Sequence, residues 1–409
     1  MDTLTKLKNK TDLVSVGLMY ILILLGIALI FSATHHNEFA WMRNLYRHQI
    51  LWMVIGTGVL YLAILIPYRI LYDYAYLLYA FTVILLVLVI LKGTTMAGAT
   101  RWFALGSIKI QPSEFAKIGA LLALARYFSS HEISFEKVAS LITPCALIFI
   151  PMALCLKQPD LGTALVFGAM VMPMLFWAGL TAAETFFVFS PVLSLTLAFN
   201  TWFWAVFFIL LFFFLVKYCR NIFLLSGILL VNFTIGIILP ILWNRLHDYQ
   251  KNRILSFVDP QNDPMGAGYQ VIQSQIAVGS GGFFGKGFLG GTQTRLSFLP
   301  EQHTDFIFSV LGEQFGFLGC LVVLVIFFVI LYRIFNTASE GTNRFLNLLA
   351  VGIGAQLAFH VAINIAMTIG LMPVTGLPLP FLSKGGSFLL TCMVLMGIAV
   401  SIPKKSGEY

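Results

Sequence analysis

Long apolar runs alternate with short polar breaks along almost the whole chain. They fall at residues 13–33, 49–67, 73–92, 114–129, 138–156, 161–179, 183–199, 201–217, 221–243, 305–332, 345–370 and 386–402. A helix needs about 20 mostly apolar residues to cross a bilayer. A segment in lipid must also satisfy its own backbone hydrogen bonds, which leaves helices. The pattern therefore predicts an all-α polytopic membrane protein with about twelve transmembrane helices, forming one integral membrane domain over 1–409. An even number of spans puts both termini on one side. Asn200 splits 183–217 into two short spans.

One segment breaks the pattern. Residues 244–304 form the only long polar stretch. It opens with NRLHDYQKNRILSF, in which Leu246, Tyr249, Ile254 and Phe257 alternate with charged residues, as in an amphipathic helix lying at the interface. Glycines crowd the stretch from Gly266 to Gly291, which predicts a loop or re-entrant structure and no stable span.

Composition agrees and narrows the class. Of 409 residues 59% are hydrophobic and 10% charged, which excludes a disordered chain, a disulfide scaffold and an ordinary water-soluble enzyme. The net charge of +8 orients a polytopic chain better than it binds nucleic acid. With the N-terminus inside, the inner ends carry Lys6, Lys8, Lys10, Arg69, Arg126, Lys137, Lys217, Arg220, Arg333, Arg344, Lys404 and Lys405. The short outer loops carry only Arg43, Arg47, Lys157 and Lys384. This predicts cytoplasmic termini and an extracytoplasmic 244–304. The other outer cations gather in two segments, Lys92, Arg101, Lys109 and Lys117, then Arg245, Lys251, Arg253, Lys286 and Arg295. Lys6, Lys8 and Lys10 precede a run too long for a signal peptide, so it reads as an uncleaved first span. The five cysteines form no CxxC pair and read as small core residues.

Few motifs carry chemistry. Gly285 to Gly290 fits GxGxxG, but no strand or βαβ unit surrounds it, and Gly287 stands where a Walker lysine would be followed by Ser or Thr. Ionisable residues at membrane depth are expensive and are functional candidates. Glu114 and Lys117 share a helix face in QPSEFAK, as a structural pair or a site. Asp160 in QPDLGTA sits at a helix start, as a cap or a substrate contact. Asp305, in PEQHTDF, lies where the polar loop meets an apolar run, as a helix cap or as a base. His303 and Glu301 beside it offer a metal reading that no second ligand cluster supports. His360 reads as a packing residue.

These stretches carry a resemblance. HDYQKNRILSFVDPQNDPMGAGYQVIQSQIAVGSGGFFGKGFLGGTQ, LSFLPEQHTDFIFSVLGEQFGFLG, GATRWFALGSIKIQPSEFAK, QPDLGTA and PVTGLPLPFLSKGGS are similar to the SEDS family (shape, elongation, division and sporulation), in order over nearly the whole chain. GKG…GTQ and the short termini resemble the elongation branch of that family more than the division branch. The family pattern has ten spans, so 183–217 reads as an extra pair. The resemblance implies a peptidoglycan glycosyltransferase of the bacterial cytoplasmic membrane that polymerises lipid II on the outer face. Its partners would be a class B penicillin-binding protein transpeptidase, other elongation-complex membrane proteins and membrane lipids, with no nucleic acid. It implies Asp305 as the essential aspartate, with Arg101, Glu114, Lys117 and Asp160 as further site residues. No cofactor is implied, and a divalent metal, magnesium or manganese, is left open.

The residue chemistry points the same way. A sugar on a diphosphate already has a good leaving group. The reaction then needs one base for the acceptor hydroxyl and cations for the departing diphosphate. Asp305 suits the base, and Lys117, Arg101, Lys286 and Arg245 suit the anion. A single displacement inverts the anomeric centre. A lipid II flippase and a non-catalytic scaffold of the cell-wall synthesis complex are the competing expectations.

Overall fold

The computed structural model describes residues 12–37, 39–96, 99–105, 108–219, 221–245, 251, 267–296 and 298–405. Each of the twelve apolar runs becomes a helix. They are α1 (Leu13–Thr34), α2 (Leu45–Leu65), α3 (Ala75–Lys92), α4 (Pro112–Ser130), α5 (Val138–Lys157), α6 (Leu161–Ala178), α7 (Ala182–Leu197), α8 (Thr201–Tyr218) and α9 (Ile222–Arg245), then, after a short α10 (Ala267–Ser280), α11 (Ile307–Glu340), α12 (Arg344–Thr368) and α13 (Gly386–Lys405).

Among the described residues, ten helices are long and apolar enough to cross a membrane, fewer than the twelve expected. Two fall outside for different reasons. Helix α7 has only 16 residues. Helix α4 carries Glu114, Lys117 and Arg126 and buries most of its surface against other helices. A helix of that kind belongs to the protein interior, where its charges find partners.

The chain is also not wholly helical. Between α3 and α4 lies a three-stranded antiparallel sheet, β1 (Thr94–Met96), β2 (Ala99–Leu105) and β3 (Ile108–Ile110). Its register pairs Thr94 with Trp102 and Ala104 with Lys109. The stretch is rich in Thr, Trp, Phe and Ile, residues that suit strands. Hydropathy over a span-sized window cannot see strands of three to seven residues.

Helices α12 and α13 form the centre. Their most apolar windows are 78% buried, against 11% in α8 and α9. Helix α12 packs against α4, α6, α10, α11 and α13, and α13 packs along α2. The outer group α7, α8 and α9 is tied by a polar ladder. Asn232 Nδ2 donates to Ser190 Oγ at 2.9 Å, Ser194 Oγ donates to the Asn232 carbonyl at 3.2 Å, and Trp204 Nε1 donates to Ser194 Oγ at 2.9 Å. Polar side chains that hydrogen-bond across helices hold such a bundle together where apolar packing gives no preference over lipid.

Helix α11 is broken at Gly316, which has φ 64° and ψ −162°. The break exposes backbone groups that the glycine-rich segment pairs with. Lys286 N donates to the Glu313 carbonyl and Gly287 N to that of Gln314, each at 3.0 Å. In return Phe317 N donates to the Gly282 carbonyl at 2.9 Å and Leu318 N to that of Phe283 at 3.1 Å. A side chain at Gly316 would put its Cβ 2.3 Å from Gly285 N, so only glycine fits both the angle and the approach. The glycine segment is thus a loop docked on a helix break. Helix α10, before it, is too short to span at 14 residues. The amphipathic helix expected over 244–257 lies outside the described residues, apart from Asn244, Arg245 and Lys251.

Candidate active site

Asp305 stands two residues before α11, and the segment 301–306 that carries it is non-helical. Three successive carbonyls of this segment are each held by a donor. Lys384 N donates to the His303 carbonyl at 3.0 Å, Ser383 Oγ to that of Thr304 at 2.6 Å, and Asn364 Nδ2 to that of Asp305 at 2.8 Å. The first two come from the extended loop between α12 and α13, and the third from the last turns of α12. Asn364 Nδ2 also donates to the Leu377 carbonyl at 2.8 Å.

The loop 373–385 therefore organises the site. A Cβ at Gly376, whose φ is 71°, would stand 3.4 Å from Asp305 Oδ2. The loop touches α6 at Gly162, where a Cβ would meet the Thr375 carbonyl oxygen at 2.7 Å. Gln49 of α2 anchors its far end, donating to the Ser383 carbonyl at 3.2 Å and accepting from Gly385 N at 3.3 Å. Glu301 and Phe381 both have left-handed φ, 51° and 67°. Strained non-glycine residues of this kind cluster at functional sites.

The charges around Asp305 are mixed. His303 Nε2 lies 3.9 Å from Glu301 Oε2. Burial, reinforced by the Lys384 charge and opposed by Glu301, pulls the His303 imidazole down to about 4. It is therefore neutral at pH 7. Burial also lowers the Lys384 ammonium below its usual range, with Glu301 opposing and Lys109 of β3 adding to the shift. Lys109, Lys384, Glu301 and His303 thus share one electrostatic neighbourhood. Among the described residues no group of three or more His, Cys, Asp and Glu side chains stands ready to hold a metal ion.

Glu114 and Lys117 form an ion pair inside the bundle. Lys117 Nζ lies 2.9 Å from Glu114 Oε1, with side chains 0% and 5% exposed. The ammonium also lies 3.2 Å from His360 Nε2 and 5.5 Å from the Phe388 ring centroid. Since an ammonium only donates, Nε2 accepts, and the proton sits on Nδ1, which donates to the Pro378 carbonyl at 3.3 Å. His360 and Asn364, one turn apart on α12, thus hold two adjacent carbonyls of the loop that lines Asp305. Lys117 has no accessible surface of its own; it reaches the loop through His360.

Asp160 caps α6, accepting from Thr163 N at 3.2 Å and from Thr163 Oγ1 at 2.9 Å. Gln111 Nε2 donates to it at 3.1 Å, and Arg101 Nη1 lies 3.7 Å away. Arg101, on β2, also donates from Nε to the Gln158 carbonyl at 3.1 Å and from Nη2 to that of Pro159. The sheet is thereby pinned to the start of α6.

Lys286 is in a separate cluster. Its ammonium meets Glu313 Oε1 at 3.0 Å, Ser280 Oγ at 2.7 Å and Thr292 Oγ1 at 2.9 Å. Glu313 is fully buried and accepts from Gln293 N, Thr294 N and Thr294 Oγ1 as well. Arg245 is the last residue of α9. Asn364, Ser383, Lys384 and Glu313 were not singled out from the sequence. Glu313 had a readable signal, a lone carboxylate inside an apolar run.

The family model for the FtsW, RodA and SpoVE cell cycle proteins matches residues 13–212 and 192–408. The chain is 36% identical over 351 residues to the peptidoglycan glycosyltransferase MrdB of Escherichia coli (strain K12), covering 86% of this chain and 83% of that protein. It is 35% identical over 410 residues to the peptidoglycan glycosyltransferase RodA of Treponema pallidum (strain Nichols), covering 92% and 94%. Among solved structures, it superposes on a chain from work on the structural coordination of polymerization and crosslinking by a peptidoglycan synthase complex. That match has a TM-score of 0.73 at 30% identity and covers 98% of this chain and 99% of the other. It also superposes on the rod shape determining protein RodA of Thermus thermophilus, with a TM-score of 0.64 at 26% identity and 98% of each chain covered.

Proposed function

The chain belongs to the FtsW, RodA and SpoVE family and is a peptidoglycan glycosyltransferase, and on that premise we propose that it polymerises lipid II with Asp305 as general base. The observation that carries the reading is the lacing of residues 303–305. A base must be held in position by its backbone. Asp305 is so held, with its carbonyl on Asn364 and its half-buried carboxylate beside Gly376.

The proposed step is a single displacement. Asp305 takes the proton of the acceptor sugar hydroxyl as that oxygen attacks the donor's anomeric carbon. The bond to the diphosphate breaks, and the lipid diphosphate leaves with the electron pair. Inversion follows from the single displacement. Cations stabilise the departing charge, and Lys384 and Lys109 suit this task beside His303 and Glu301. Arg101 keeps partly exposed surface on the neighbouring strand. Lys286 and Lys117 contribute indirectly, through Glu313 and His360.

An apolar groove of about 590 Å³ between α3 and α4 supports a place for the lipid tail. It is roofed by Phe103, Ala104 and Ile110 of the sheet and walled by Phe81, Phe115 and Leu122. In this reading the active end faces the outside of the cytoplasmic membrane, the termini face the cytoplasm, and a class B penicillin-binding protein cross-links the strands during elongation. The likeness to a chain of a peptidoglycan synthase complex supports such a partner.

The test uses purified full-length protein with labelled lipid II. Glycan strands from wild type and none from a folded Asp305→Asn variant are expected. Wild-type polymerisation by that variant would sink the base assignment, and translocation without polymer would favour a flippase.

A further inference from the structure

A second cavity, of about 660 Å³, opens at the other end of the bundle. Helix α11 runs the length of the molecule from Ile307, beside Asp305, to Glu340. The cavity lies past that far end, where Thr342 and Arg344 lead into α12. Arg69, Tyr72 and Asp73 line its opposite wall, and Ser129, at the end of α4, closes it.

Its walls are built and its charge is biased. Arg344 Nη2 donates to the Ala178 carbonyl at 3.1 Å, which fixes one guanidinium at the rim. The guanidinium of Arg126 lies 4.8 Å from the Tyr72 ring centroid and 4.7 Å from that of Tyr76, and it donates to the Asp73 carbonyl at 2.7 Å. Tyr72 in turn meets Phe345 edge-on at 5.3 Å. Arg69 and Arg344 thus line the cavity with one carboxylate residue, Asp73, and with Ser129 and Thr342, while Arg126 stands behind the wall that Tyr72 and Asp73 form. Guanidinium forks and hydroxyls together suit phosphate oxygens. Basic pockets between membrane helices, next to tyrosines at the interface, take anionic headgroups.

We propose that this cavity is a binding site for a phosphate oxyanion, separate from the site around Asp305. The phosphate can belong to a lipid headgroup in the adjacent leaflet or to a free phosphate compound. The geometry points to the class, and the experiment separates the sources.

The full chain is placed in nanodiscs of phosphatidylcholine, with phosphatidylglycerol added in one arm and inorganic phosphate in another. Retained ligand is read by native mass spectrometry and stabilisation by thermal melting. Two variants keep the test independent of folding. Arg69→Gln removes an exposed fork, and Thr342→Asp puts a carboxylate into the cavity from an exposed position. Phosphatidylglycerol should be retained and should raise the melting temperature of wild type, with affinity falling about tenfold in Arg69→Gln and further in Thr342→Asp. Stabilisation by inorganic phosphate alone, lost in both variants, would support the site with a soluble phosphate as its ligand. Equal binding of phosphatidylglycerol by wild type and both variants, or no effect of either anion on wild type, overturns the proposal.

Discussion

Asn364 holds Asp305 by its backbone, its Nδ2 donating to the Asp305 carbonyl at 2.8 Å while also donating to the Leu377 carbonyl. One amide thus fixes the candidate base relative to the loop beneath its carboxylate. Asn364→Leu removes both bonds, and Asn364→Asp turns an oxygen toward two carbonyls. Each orphaned acceptor costs about 1–3 kcal/mol. Polymerisation kcat is expected to fall at least tenfold in both, with KM for lipid II nearly unchanged. A parallel rise in KM would show that Asn364 binds substrate instead.

The Glu114–Lys117–His360 chain predicts a stability pattern. Lys117→Met leaves a buried carboxylate without its partner, which costs about 3–5 kcal/mol. Adding Glu114→Gln removes that charge and should recover much of the loss. Thermal melts of the singles and the double form a cycle. Additive losses would mean that the pair is not coupled.

Lys286 distinguishes a clasp from a substrate contact. If it holds Glu313, Lys286→Met should lower the melting temperature and speed hydrogen exchange at residues 281–291, with little change in KM. A KM rise with unchanged exchange would instead put Lys286 on the diphosphate.

His303 sets a pH dependence. Its folded value is about 4 and its ordinary value 6.5. Between these, the unfolded chain holds more protons, so stability rises with pH across that window. Wild type should lose stability as pH falls from 6.5 toward 4, and His303→Gln should lose less. Lys384→Met should move the imidazole back up. Identical melting slopes in wild type and His303→Gln would contradict this.

The helices were legible because each run is long and apolar, and lipid leaves no alternative to helix. The sheet was not, since strands of three residues leave no mark in a span-sized pattern. Residues Glu114, Lys117, Asp160 and Asp305 stood out as charges against an apolar background. What joins them did not, because it is made of neutral residues and backbone. Asn364 and Ser383 act on carbonyls, and no spacing in the sequence announces a hydrogen bond between residues 59 or 79 positions apart. Lys286 was readable as a cation but not as the partner of Glu313, 27 residues away.

The break at Gly316 has a consequence for transplanting parts between relatives. Donors and acceptors run in both directions between residues 282–287 and 313–318. A graft of the glycine loop alone would bring half of a reciprocal pattern to a helix shaped for another half. The smallest piece that keeps this pattern whole therefore runs from Gly282 through Leu318, and chimeras cut inside it should misfold.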